Sequence, residues 1–263
     1  MWGVRDPLQG KSVSLDRLVS IMEQLRDPVG GCAWDRVQTF ASIAPYTIEE
    51  AYEVADAIAR DNMDDLAEEL GDLQLQVVFH SQMAHEAGHF SLDDVITRIC
   101  DKLERRHPHV FGNAAASPGW EALKAAERAD KADPSALAGV ALALPALERA
   151  AKLQKRAART GFDWPDLRGP RAKIDEELVE VEQAAPSDQA EEIGDLLFAV
   201  VNFARHLNID PEEALRLANR KFERRFRAIE ATPGFAAMSL EQKEALWQSF
   251  KASEISPNSQ GKA

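Results

Sequence analysis

Cysteine, basic charge and long apolar runs are all scarce in this chain, and each scarcity closes off a class of protein. Two cysteines, Cys32 and Cys100, in 263 residues are too few and too far apart for a disulfide framework or a closed zinc site, and they read as reduced thiols. No apolar run approaches the roughly 18 residues of a membrane-spanning helix, and Met1 to Ser14 lacks the apolar stretch of a signal peptide. A cytoplasmic protein with no membrane partner is therefore expected. Lys and Arg total 31 against 44 Asp and Glu, a net charge of −13, which argues against a general nucleic-acid binder because such affinity comes from basic surface. A small anionic substrate stays open if a metal and local bases offset the field. The glycine-rich loop of Walker-type NTPases is absent. His85 and His89 have the spacing of a zinc pair, but Gly88 lies between them and breaks the helix; neither Ser/His/Asp nor Cys/His catalysis has local support. No segment alternates with the period of a strand, so the fold class is all-α.

The chain does contain apolar residues at helical spacing, 45% in all, close to a globular average. Leu15, Leu18, Val19, Met22 and Leu25 define a helix from Ser14 to Arg26, with Ser14 as N-cap. Asp27 to Gly31 stops it, and Cys32 to Thr39 reads as a loop carrying Trp34. Pro45 is placed to start the next helix, to Arg60, because its missing N–H falls among unpaired first-turn donors. Further helices are expected over 63–86, 92–106 and 120–131, with His107-Pro108 as a stop. The second half is expected to hold helices over 144–159, 171–184, 188–207, 211–231 and 240–252. These divide the chain into an arm (1–13), a first domain (14–131), a linker (132–141), a second domain (142–254) and a tail (255–263).

Carboxylates carry the most informative pattern. Glu177 and Glu180 lie three apart on one helical face, as do Glu192 and Asp195 in the following helix. Folded back on each other, the helices would converge four negative charges, which repel strongly unless a divalent cation neutralises them. The constellation occurs twice, since Glu50, Glu53, Glu69 and Asp72 match Glu177, Glu180, Glu192 and Asp195 in order. Lys102-Leu103-Glu104-Arg105-Arg106 matches Lys221-Phe222-Glu223-Arg224-Arg225, and Trp120-x-x-x-Lys124 matches Trp247-x-x-x-Lys251. Matched blocks in one order indicate a duplicated domain. A single Glu pair is usually a solvated face and a single Trp usually core. Solvation alone, however, does not require the same spacing in both copies.

Mg²⁺ takes carboxylate oxygens and commonly completes its shell with substrate phosphates. Lys221 and Arg225, four apart on one helical face, suit a polyphosphate, and Trp247 suits a base whose face it can stack on. Together these groups suggest a nucleotide whose phosphate chain is hydrolysed.

At Gly31-Cys32-Ala33-Trp34-Asp35, Ala44 to Glu53, Lys102 to Phe111, Gly161-Phe162-Asp163-Trp164 and Lys221 to Arg225, the chain resembles the MazG family of nucleoside triphosphate pyrophosphohydrolases, in its long form with two tandem domains. The resemblance runs from Leu18 to about Phe250. It implies tandem all-α four-helix units assembled as a homodimer. It also implies Mg²⁺-dependent hydrolysis of (d)NTPs between the α- and β-phosphates, with Mn²⁺ as a substitute and with broad specificity. The C-terminal copy is the one the resemblance favours for catalysis. Glu177, Glu180, Glu192 and Asp195 would then hold the metal, Lys221 and Arg225 the phosphates and Trp247 the nucleoside, with Glu176 and Glu191 orienting water. Where relatives can carry a nucleotide-binding Lys this chain has Asp188, so either another base, such as Lys173 or Arg224, takes over that contact or affinity is weaker. The N-terminal quartet (Glu50, Glu53, Glu69, Asp72) is left as active, structural or regulatory. Two other readings are a narrow-specificity house-cleaning dNTP pyrophosphatase and a non-hydrolytic nucleotide-sensing partner protein.

Overall fold

The computed structural model describes residues 14–112 and 133–255. The expected arm, the helix over 120–131 with Trp120 and Lys124, and nearly all of the tail lie outside the described residues. Close contacts divide the chain between Ala125 and Ala126 into two units, and every described regular element is a helix.

The first unit comprises α1 (Leu15–Leu25), α2 (Ala33–Arg36), α3 (Phe40–Ala59), α4 (Met63–Glu86), α5 (Leu92–Arg106) and α6 (Pro108–Phe111). Ser14 caps α1 through Arg17 N, and Asn62 caps α4 through Asp64 N and Asp65 N. α3 begins at Phe40 and not at Pro45, because Thr39 and Ser42 form a reciprocal capping box that satisfies two end donors at once. Pro45 sits inside the helix and is exposed, so the Ala41 carbonyl it leaves unpaired is on the side that meets water. The expected loop from Cys32 to Thr39 contains the short turn α2, and Pro108 opens another, α6, right after the expected stop. α3 and α4 form a helical hairpin about Asp61, whose φ of 54° puts it in the left-handed region. α1 and α5 pack on α4, enclosing a core of Met22, Ile43, Val78, Phe79 and Met83.

In the second unit, α7 (Ala146–Ala158), α8 (Arg168–Gln183), α9 (Gln189–His206), α10 (Pro211–Glu230) and α11 (Leu240–Ile255) follow, with a 3₁₀ turn at Phe235–Ala237. α8 begins three residues before the expected Arg171. Asp166 accepts the Arg168 amide at 2.9 Å, and Pro170 costs nothing there because first-turn N–H groups have no helical partner. α8 and α9 make the second hairpin, with α7 packed on α9 and α10 on α11. Part of the expected linker is docked on this unit: Ala138 is buried and its carbonyl accepts from Arg156.

Candidate active site

The hairpins give the carboxylates their geometry. Facing turns of α8 and α9 bring oxygens of Glu177, Glu192 and Asp195 within 4.8 Å of one another, and α3 and α4 do the same for Glu50, Glu69 and Asp72. Glu180 and Glu53, the expected fourth members, lie outside these triplets but next to them. The approach of Glu177 pushes the Glu180 carboxyl above the usual range, and Glu53 is among the charges that raise Glu50 and Glu69, after burial in both cases.

Glu177 is the buried member, 3% exposed. Lys173 Nζ reaches its Oε1 at 2.6 Å and Glu176 Oε1 at 3.0 Å, and those two carboxylates raise the Lys173 ammonium well above a usual lysine value. Its other oxygen, Oε2, is buried without a hydrogen-bond partner. An orphaned buried carboxylate oxygen is costly. A set made only of carboxylate oxygens, one of them unsatisfied, fits a hard divalent cation such as Mg²⁺.

The remaining expected residues fall into separate places. Glu191 is exposed in the first turn of α9, and Asp188 stands just ahead of it, its carboxylate accepting from Ser187 Oγ at 2.7 Å. Lys221 is exposed on α10. Arg224 and Arg225 both donate to Glu254 of α11, at 2.7 Å each, and Arg225 also lies over the Trp247 ring at 5.9 Å. Phe222 packs on Trp247 with centroids 5.3 Å apart. Arg224, Arg225 and Trp247 thus form one cluster with Glu254, a residue sequence reasoning missed; it lies 30 positions from Arg224 with no local signal.

A cavity of about 490 Å³ opens beside Glu177 and Asp195, within the range of small-molecule sites. Phe162, Trp164 and Phe198 give it aromatic walls, and neither Lys221, Arg225 nor Trp247 lines it. Trp164 is held in place by close approach to Gly169, where a Cβ would fall 2.0 Å from Trp164 Cδ1. Two buried amides, Gln154 and Asn202, face it, 7% and 8% exposed. Gln154 Nε2 donates to the Phe198 carbonyl at 2.8 Å, and its Oε1 is buried without a partner. Asn202 Oδ1 accepts from Arg205 at 2.7 and 2.9 Å, and Arg205 is clamped by Asp163 at 2.5 and 2.9 Å. Arg205 first, then burial in the opposite sense and His206, set the Asp163 carboxyl, which ends at about 2.

The first unit carries apolar residues at the matching positions. Met22 is the buried residue of α1, as Gln154 is of α7; Phe79 follows Asp72 by two helical turns, as Asn202 follows Asp195. Trp34 stacks on Phe79 at 6.4 Å, and Phe79 belongs to the apolar core with Met22. Sequence reasoning missed Gln154 and Asn202, though a polar residue at an innermost helical position was the signal.

Comparison with known proteins agrees with this duplicated arrangement. Residues 38–111 match the MazG nucleotide pyrophosphohydrolase domain model, and residues 144–225 match the phosphoribosyl-ATP pyrophosphohydrolase model. The chain is 54% identical over 260 residues to the nucleoside triphosphate pyrophosphohydrolase of Escherichia coli (strain K12), covering 92% of this chain and 98% of that protein. It is 50% identical over 224 residues to the nucleoside triphosphate pyrophosphohydrolase/pyrophosphatase MazG of Thermotoga maritima, covering 83% and 86%. With two pyrophosphohydrolase-type helical domains in tandem, the chain belongs to the MazG family.

Proposed function

We propose that this protein is a Mg²⁺-dependent nucleoside triphosphate pyrophosphohydrolase that cleaves (d)NTPs between the α- and β-phosphates, releasing (d)NMP and pyrophosphate. The observation that carries the reading is the convergence of Glu177, Glu192 and Asp195 around an unsatisfied buried oxygen, in a chain 54% identical to a protein named for that activity. Glu177, Glu180, Glu192 and Asp195 would hold the metal, with Mn²⁺ an acceptable substitute. When bound, such an ion polarises phosphoryl oxygens and lowers the pKa of water. Lys173 restrains Glu177 and Glu176 and keeps a cation at the edge of the cluster. Glu176 and Glu191 are placed beside the ligand carboxylates in sequence and would orient water. Lys221, Arg224 and Arg225 supply charge for the phosphates, and Glu254 holds the two arginines until substrate competes for them. Trp247, fixed by Phe222 and Arg225, offers its face to the nucleoside. Activity is assigned to the second unit, because a cavity opens beside its carboxylates, whereas Phe79 of the first unit is packed in the apolar core with Trp34 stacked on it.

A homodimer is part of the proposal. Apolar side chains lie half exposed along both hairpins, among them Tyr52, Leu70 and Val77 in one and Ile193, Leu197 and Phe198 in the other; a second copy would remove them from water. No described helix is long and apolar enough to cross a membrane.

Products from a mixture of NTPs with Mg²⁺ test the reading. NMP and pyrophosphate in equal amounts are expected from the wild-type chain and not from Glu177→Ala or Asp195→Ala. Binding of a nonhydrolysable analogue with no turnover of any NTP would replace the enzyme with a nucleotide sensor, and turnover of one dNTP alone would replace broad with narrow specificity.

A further inference from the structure

The chain just ahead of α7 is folded by its own turns. Asp133 Oδ1 accepts from the Ser135 amide at 2.9 Å, Ser135 Oγ from the Leu137 amide at 3.2 Å, and the Ser135 carbonyl from the Ala138 amide at 3.0 Å. Asp and Ser side chains that bond a backbone amide two residues on make turns without help from a helix, so residues 133–138 curl locally. Gly139 continues the curl with a φ of 73°, a left-handed conformation open to a residue without Cβ. Arg156 of α7 fastens it: the guanidinium donates to the Ala138 carbonyl and lies 3.5 Å from the Ala136 carbonyl, and Ala138 itself is buried. A charged donor makes this a strong anchor for a short segment.

The curl places Leu137 in the wall of the cavity that opens beside Glu177 and Asp195. Leu153 and Ala157 belong to the same wall and flank Arg156 along α7, so one helix supplies both part of the cavity and the anchor of the linker. Leu137 is 44% exposed. An apolar side chain left half in water at the edge of a cavity gains further burial when a ligand enters.

Resting on the pyrophosphohydrolase reading above, we infer that Leu137, a residue of the linker between the two units, is part of the nucleotide-binding site, and that Arg156 is the positioning residue that holds it there. A nucleotide whose phosphates lie on the carboxylates meets Leu137 through whichever of its groups enters the cavity. The binding site of the second unit therefore begins before α7, inside the segment expected as linker. Residues 135–140 are also the chain that leads back toward the first unit. Substrate and linker then act on each other reciprocally: a nucleotide seated against Leu137 restrains the linker, and a loosened linker weakens the nucleotide.

The full-length wild type is to be compared with Leu137→Ala, Leu137→Met, Arg156→Lys and the double variant Leu137→Ala/Arg156→Lys. The dissociation constant of an α,β-methylene ATP analogue with Mg²⁺ is measured for each, together with KM and kcat for the natural NTPs. Leu137→Ala is expected to raise the dissociation constant and KM by about three- to tenfold, the worth of part of one apolar side chain, with the effect falling on KM and not on kcat. Leu137→Met restores binding. Arg156→Lys weakens binding in the same direction, and the double variant is no weaker than the worse single one, because both changes remove one contact. In the wild type, hydrogen exchange at the Ala138 and Val140 amides, which bond within the curl, slows when the analogue is added. Unchanged binding and KM in Leu137→Ala would overturn the inference, as would exchange at 135–140 that saturating analogue leaves unaltered; that second measurement needs no variant to fold. Fully additive losses in the double variant would remove Arg156 from its role. If Leu137→Ala weakens the analogue while the wild type turns over no NTP, the linker assignment stands and the activity reading falls. If NTPs are turned over and Leu137→Ala matches the wild type, the activity reading stands and the linker assignment falls.

Discussion

Replacing Glu177 by Gln separates what the carboxylate does for the fold from what it does for the metal. In the metal-free protein its Oε2 is buried and unpaired, a situation that costs about 1–3 kcal/mol. Gln keeps the shape, removes one of the converging charges and can donate to a neighbouring carboxylate. The opposing loss is the contact with Lys173 at 2.6 Å. That ammonium is about a third exposed and keeps Glu176 at 3.0 Å, so the loss is discounted to about 1 kcal/mol or less. The balance favours an unchanged or slightly more stable apoprotein, with a melting temperature raised by up to about 5 °C. With Mg²⁺ the order reverses. An ion at about 100 times its Kd adds roughly 2.7 kcal/mol to whatever binds it, about 5–10 °C for a unit of this size; the variant's second unit should lose most of that gain. Turnover should fall by about 100-fold or more, equivalent to roughly 2.7 kcal/mol of transition-state stabilisation. Thermal melts by circular dichroism with and without Mg²⁺, read beside pyrophosphate release, give all three numbers. Wild-type turnover together with a full Mg²⁺ shift in Glu177→Gln would refute the placement of the metal on this residue.

The two carboxylate groups should respond differently to equal damage: Glu180→Ala is expected to abolish pyrophosphate release and Glu53→Ala to leave kcat/KM within about threefold, under 1 kcal/mol. Equal losses would mean that the first unit turns over substrate despite its filled core. Gly169→Ala places a Cβ on the Trp164 ring and should destabilise the second unit by about 1–3 kcal/mol, visible as a lower midpoint in urea together with a higher KM; a neutral result would show that Trp164 is free to move. The Asp163 carboxyl is held at about 2, below the usual aspartate value of 3.8. Its contribution to stability is therefore complete above about pH 4 and disappears as the pH falls toward 2. Acid unfolding of wild type and Asp163→Asn should converge near pH 2 and diverge above pH 4, and parallel curves throughout would contradict the clamp.

Most helices were legible because their signals are local. Ser14, Ser91 and Asp210 each cap a helix through the amide three residues on, and the 3.6-residue period places the apolar face without reference to the rest of the chain. Pro45 misled because two local signals competed. A proline tolerated at a helix start is a weaker instruction than the paired hydrogen bonds of Thr39 and Ser42, which begin the helix five residues earlier. The carboxylates were legible for a different reason: duplication displayed their spacing twice. What stayed hidden was tertiary. The contacts of Arg224 and Arg225 with Glu254 span about thirty positions, and a cavity is defined by side chains that are small or turned aside, which no spacing announces. Yet Gln154 among the apolar positions of α7 was visible as an anomaly.

That anomaly marks where two copies with the same carboxylates differ in what lies behind them. Converging acidic groups need only the hairpin, and both hairpins supply it. A nucleotide also needs room beside them, and room must be taken from the core. In the first unit Met22, Phe79 and Met83 belong to one apolar core and stabilise the unit by burial, at roughly 1.5–3 kcal/mol for each large side chain. In the second, Gln154, Asn202 and His206 give that burial up. Part of it is replaced by the Asp163 clamp, which ties the loop before α8 to Arg205 and His206 near the end of α9, and the rest is left as a cavity beside a buried, unpaired Gln154 oxygen. Polar groups retained at such a cost in a packed helical unit indicate a ligand that completes them. The acidic quartet alone therefore does not distinguish the two copies, and the cavity beside Glu177 and Asp195 is the feature on which the assignment to the second unit rests.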